Sequence, residues 1–160
     1  MKLLRTIRFD PTDEKVFPRA AAADEIAVAG AFLFADDEPE TLLGKRLQAF
    51  RSGFLGLESF GFSTFAAVAE VSESEYARAI ELLAYRLFAE FGAPDLEAAR
   101  AAAKDEVDFA AGLCAHPVNT VVAVERELHE DGIKERFRTV TAPREKDHAK
   151  VWEFGHGGDA

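Results

Sequence analysis

Two groupings of side chains have residue types suited to catalysis or metal binding, and in both the spacing works against the chemistry. Cys114 and His116 place a thiol two residues from an imidazole, the pair that makes a nucleophile when the base reaches the sulfur. At a helix end, residues two apart project in different directions, and no third residue is identified to orient the imidazole. Cys114 also falls on an apolar stripe, where free cysteine packs as a small hydrophobe. His129, His148 and His156, with Glu127 or Glu153 nearby, are metal-ligand types, but no pair has the four-residue helical spacing or a known ligand motif. No catalytic residue, metal ligand or cofactor is therefore assigned, and the expectation leans away from an enzyme.

A different chemistry is offered by Phe50-Arg51-Ser52-Gly53-Phe54-Leu55-Gly56-Leu57-Glu58-Ser59-Phe60-Gly61-Phe62-Ser63-Thr64. Glycines admit a ligand or a second backbone at close range, phenylalanines anchor the loop, and small polar groups between them supply donors and acceptors. The ligand-binding candidates are Arg51, Ser52, Glu58 and Ser59; in an enzymatic version Arg51 holds an anionic group and Glu58 carries a proton. Phe54 and Phe60 are candidates for contact with a partner chain. The competing reading is that a helix-to-strand junction needs glycine and that clustered phenylalanine is core, and this packing account is the stronger one. The glycine spacing is neither a P-loop nor a dinucleotide fingerprint, since the lysine is missing and the order strand, glycines, helix is not met.

The elements that must position this stretch follow from periodicity. Leu3 to Phe9 alternates as an N-terminal strand, with Thr6 and Arg8 on its polar side, and Asp10-Pro11-Thr12-Asp13 ends it. Ile26 to Phe34 reads as a strand covered on both faces. Asp36-Asp37-Glu38-Pro39 then suits a helix start, and Leu43, Leu47, Phe50 and Phe54 form its apolar stripe, with Gly53 and Gly56 as terminators. Phe62 to Val71 carries small or apolar residues on both faces, as a central strand does. Ser72-Glu73-Ser74-Glu75 is a capping box before a helix with the stripe Tyr76, Ile80, Leu83, Leu87 and Phe91, stopped by Gly92 and Pro94. Asp95 caps a third helix with the stripe Leu96, Ala99, Ala103, Val107, Ala110 and Cys114. Thr120 to His129 and Ile133 to Val140 form a hairpin across Glu130-Asp131-Gly132, with Val122, Val124, Leu128, Ile133 and Phe137 on its apolar face. Its outer face carries Glu125, Glu127, Lys134, Arg136 and Arg138. Val151 to Phe154 suits a short last strand, and His156 onward a mobile tail.

This order predicts an α+β fold: one domain over residues 1–155, a largely antiparallel sheet with about three helices packed on one face. With 160 residues, 48% of them hydrophobic and 30% charged, the chain can bury a core unaided by disulfide or metal. A net charge of -10 with no basic cluster argues against nucleic acid and anionic lipid, and no apolar run reaches bilayer length. The single cysteine and the charges that interrupt residues 5–10 suit a cytoplasmic address.

Ala49 to Gly56 followed by Glu58-Ser59-Phe60-Gly61, with the opening Leu4-Arg5-Thr6-Ile7-Arg8-Phe9-Asp10 and the later Gly92-Ala93-Pro94-Asp95-Leu96, resembles an uncharacterised family of small bacterial, mainly alphaproteobacterial, proteins. The resemblance spans nearly the whole chain and carries over no catalytic residues. It implies genes near those of molybdenum-dependent formate dehydrogenases, and hence an accessory role. The expected function is a non-catalytic accessory or binding protein, with a homodimer or protein partner, or alternatively a small enzyme with its pocket at the Phe50 to Thr64 junction.

Overall fold

The computed structural model describes residues 1–8 and 14–140 in full, and residues 13 and 150–155 as backbone. The expectations for residues 9–12, for the connection Ala142 to Lys146 and for the tail from His156 lie outside that range. Eight strands form one sheet: β1 (Lys2–Thr6), β2 (Ile26–Val28), β3 (Phe54–Gly56), β4 (Phe62–Ser63), β5 (Phe65–Glu70), β6 (Val121–His129), β7 (Gly132–Val140) and β8 (Lys150–Gly155). Their order is β4-β3-β2-β1-β5-β6-β7-β8, with every neighbouring pair antiparallel. The helices are a single turn α1 (Asp13–Val16) and the longer α2 (Gly44–Ser52), α3 (Glu73–Glu90) and α4 (Leu96–Gly112). The described residues thus form an α+β domain with an antiparallel sheet and three longer helices. Among the described residues no helix is long and apolar enough to cross a membrane.

The run expected as one strand from Phe62 to Val71 is divided at Thr64 into β4 and β5. β4 pairs with β3 at one end of the sheet, while β5 lies beyond β2 and β1 and pairs with β1 and β6. Only one residue connects strands that have three others between them, so the sheet curls round until β4 and β5 meet, much as a small barrel closes. Ser63 fastens that closure: its hydroxyl lies 2.7 Å from the Ile7 carbonyl and 2.6 Å from the Phe65 carbonyl, and accepts from the Ile7 N–H.

Three further expectations are corrected. The strand expected over Ile26 to Phe34 ends at Val28, because Gly30 takes φ 92° and the chain turns into a 3-10 segment, Ala31–Phe34. A Cβ on Gly30 would stand 3.0 Å from the Leu55 Cβ, so both its backbone angle and its space require glycine. The next helix begins at Gly44, later than the acids at 36–38. Asp37 is used in a turn instead, accepting from Thr41 Oγ1 at 2.7 Å and from Arg46 Nε at 3.0 Å. Thr6, expected on a polar strand face, is buried, its hydroxyl donating to the Ala22 carbonyl and accepting from the Glu25 N–H.

The helix signals downstream are met. Ser72 and Glu75 form the reciprocal capping box of α3, and Asp95 Oδ1 accepts from the Ala98 N–H at 2.8 Å to start α4. Leu83, Ala84 and Leu87 of α3 pack with Ala99, Ala103, Val107 and Ala110 of α4, and the alanines allow close approach. Together with Ala49 and Phe50 of α2, these residues join Leu3, Val28 and Leu55 in one core cluster. The alternate strand residues Leu4, Ala27 and Phe54 join Ala66, Val68, Val122, Val124 and Phe137 in a second, which Leu113 and Cys114 at the end of α4 close. The sheet is therefore packed on both faces, which is why β3 and β5 lack a polar side.

Candidate functional site

The end of α2 and the strand after it are held by a charge that hydropathy would place in solvent. Arg126 of β6 is fully buried, and its Nε donates to Glu135 Oε2 of β7 at 2.7 Å, with neither side chain exposed. One terminal nitrogen donates to the carbonyls of Phe50 and Gly53, both at 2.9 Å, and the other to the carbonyl of Ala29. Burial lowers the guanidinium's hold on its proton and Glu135 opposes that. One side chain thus takes the carbonyls of Phe50, in the last turn of α2, and of Gly53, its C-cap, and ties them to the segment after β2 and to the hairpin. Gly53 is extended, and a Cβ there would meet the Ala49 carbonyl and the Phe62 ring, each at 2.8 Å, so the helix turns directly into β3.

Over this tie lies an open cleft of about 340 Å³ between α2 and β6. Pro39, Leu42, Leu47, Phe50 and Leu128 form its apolar walls, Arg51 and Glu127 are its exposed charges, and Arg126 lies beneath. Glu127 is engaged by His129, whose Nε2 is 2.9 Å from Oε1. Arg51 makes no ion pair or side-chain hydrogen bond with any described residue.

On the other side of the same stretch stands Glu25, 3% exposed. Its Oε1 accepts from the N–H groups of Glu58 (2.9 Å) and Ser59 (2.7 Å), and its Oε2 from the Ala22 N–H and the Ser59 hydroxyl, both at 2.7 Å. The Ser59 hydroxyl also accepts from the Gly61 N–H. The β3–β4 loop is wrapped round this carboxylate, and a Cβ on Gly56 would come within 2.7 Å of Oε1. Phe60 within the loop takes φ 58°, a conformation phenylalanine adopts only under constraint. Its ring lies under the Arg86 guanidinium, 4.6 Å away, and against Phe91.

The candidate residues are therefore separated. Arg51 lines the α2–β6 cleft. Ser52 stays within α2, bonded to Gln48. Ser59 belongs to the Glu25 cradle. Glu58 is exposed on a second, smaller cleft of about 80 Å³ with Arg5, Glu75 and Arg78, its carboxylate 3.9 Å from Arg78. Among the described residues Arg51 and Glu58 line different clefts, so no joint pocket in which one holds an anion while the other moves a proton is formed there. Phe54 has no exposed surface and packs on Phe137, which places it in the core rather than at an interface; Phe60 is half-buried.

Cys114 is buried with its sulfur 3.4 Å from the Ala110 carbonyl, and burial pushes its thiol up to about 11, away from the thiolate a nucleophile requires. Among the described residues no group of histidine, cysteine and acids is gathered for a metal; His148 and His156 lie outside them.

Arg126, Glu135 and Glu25 were missed by sequence reasoning. A signal existed for two of them. Arg126 occurs in the phase of Val122, Val124 and Leu128, Glu135 in the phase of Ile133 and Phe137, and the hairpin register places them opposite each other. Charges of opposite sign facing each other in the apolar phase of two paired strands indicate a buried pair. Glu25 has no such signal, since it follows Asp24 before a strand and reads as surface.

No curated protein and no solved structure matches the chain. A family model described as a family of unknown function (DUF6505) matches residues 1–154. That match takes in the curled sheet, all three longer helices, the α2–β6 cleft and the Glu25 cradle, and the chain belongs to this family.

Proposed function

We propose that this chain is a non-catalytic cytoplasmic binding protein whose receptive site is the α2–β6 cleft, serving as an accessory to a molybdenum-dependent formate dehydrogenase system. The observation that supports the binding role is the preorganised cleft: apolar walls, few polar groups at the mouth, and a floor made rigid by Arg126. Binding sites are built this way because the apolar walls supply affinity and the rim charge supplies orientation. The formate dehydrogenase association comes from the family resemblance alone. Deleting the gene from its native organism and measuring formate dehydrogenase activity tests it; activity should fall, and be restored by the wild type but not by a folded Leu47→Asp variant. Unchanged activity after deletion would overturn the association, and full rescue by Leu47→Asp would overturn the cleft.

Self-association is part of the same reading and has its own surface. Tyr85 and Phe88 on α3 and Phe91 at its C-cap recur every third residue, are 66%, 45% and 45% exposed, and continue into Phe60 and Phe32 through ring contacts with Phe91. Light scattering at increasing concentration should show a dimer that Phe88→Glu dissociates; a wild type monomeric throughout rules this surface out as a homodimer contact.

A further inference from the structure

We propose that the α2–β6 cleft takes a small monocarboxylate with an apolar body, Arg51 binding the carboxylate and Leu42, Leu47, Phe50 and Leu128 the hydrocarbon. This rests on the binding role above and names its ligand class. At about 340 Å³ the cleft is at the lower end of the range for small-molecule sites. Its charge is what selects the head group. Arg5, Arg8, Arg46, Arg78, Arg86, Arg100, Arg126 and Arg138 each lie within 4.0 Å of a carboxylate, Arg19 donates to the Ser59 carbonyl, and Arg136 has a partner of its own. Arg51 alone among the described arginines has none. In a chain where 29 acids face 19 bases, a guanidinium that no described residue pairs, beside an apolar cleft, is complementary to an anion from outside. Its planar fork matches a carboxylate with two parallel N–H bonds.

The remaining charges limit that anion to one negative charge. Arg126 beneath the cleft is neutralised by Glu135 and its bonds to three carbonyls, so it offers no second cationic contact. Glu127 on the β6 wall repels a second negative group. Monocarboxylates are therefore favoured over dicarboxylates and phosphate esters.

Calorimetric titration of the full chain with octanoate, octanol and octylamine tests this. Octanoate should bind about tenfold more tightly than octanol, as a charge-assisted hydrogen bond implies, and octylamine least. Arg51→Gln should weaken octanoate about tenfold and leave octanol unchanged, whereas Glu127→Gln should tighten octanoate. Equal binding of octanoate and octanol, or an Arg51→Gln variant that binds octanoate as the wild type does, would overturn the proposal. If octanoate does not bind while Leu47→Asp still fails to restore the deletion strain, the ligand class falls and the cleft's binding role stands, with a polypeptide segment as its occupant.

Discussion

The two sides of the Phe50 to Thr64 stretch treat charge in opposite ways. At the Glu25 cradle every polar group is consumed: three N–H groups and a hydroxyl converge on one buried carboxylate, and glycine at 56 is what lets the strand pass it. At the α2–β6 cleft, a few residues earlier in the chain, Arg126 is consumed in the same manner but Arg51 above it has no partner among the described residues. Buried polar groups that satisfy one another are architecture, because an unsatisfied one would cost more than the fold can bear. A charge left open at the edge of an apolar concavity contributes little to the fold, and is where a ligand can be read. The difference assigns a structural role to Glu25, Ser59 and Arg126, and under the proposed function it leaves Arg51 for the ligand.

The sharpest way to break this division is to remove the tie itself. Arg126→Met takes the guanidinium away from the buried Glu135 carboxylate and releases the carbonyls of Ala29, Phe50 and Gly53, and should lower stability by about 3–5 kcal/mol in urea unfolding. Adding Glu135→Leu removes the buried carboxylate and should recover part of the loss. A single variant that loses less than about 1 kcal/mol would show that the pair is not structural. Gly56→Ala comes next. The new methyl must displace Glu25 Oε1 or the backbone, and a loss of about 1–3 kcal/mol by thermal or urea unfolding is expected.

A smaller effect separates packing from chemistry at Cys114. Its folded thiol holds its proton up to about pH 11, whereas the unfolded thiol releases it near 9.0, so alkali pulls on the unfolded chain first. The contribution is present in full below 9.0 and is lost as pH rises through about 11. Urea unfolding as a function of pH should therefore show a decline across that window which Cys114→Ala reduces. Arg51→Gln should have the smallest effect on stability, within about 0.5 kcal/mol of wild type, as suits an exposed side chain with no partner among the described residues.

What could be read from the sequence divides along physical lines. Local signals held: the Ser72 and Asp95 caps, the alanine stripe of α4 and the Asp-Gly hairpin depend on neighbours within a few residues. The curl of the sheet did not show, because β4 and β5 fall in one run of mostly small or apolar residues and are divided only by which strands they pair with, a choice made by residues far away in the chain. The strand expected through Gly30 failed for a similar reason, since the close approach of Leu55 that demands glycine is a tertiary fact. Of the candidate site residues, Arg51 was identified by type and not by setting. The cleft beside it is closed by Leu128 and tied from below by Arg126, both in a hairpin over 70 residues away. Glu58 and Ser59 share the stretch in sequence but face elsewhere, because the chain reverses at β3 and wraps its next loop round Glu25.

Backbone amide shifts recorded during an octanoate titration test the contrast between the two sides most directly. Shifts concentrated at Leu47, Arg51, Glu127 and Leu128 are expected, with Glu58, Ser59 and Gly61 unmoved. Shifts centred on Glu58 to Gly61, with the α2–β6 residues silent, would contradict it.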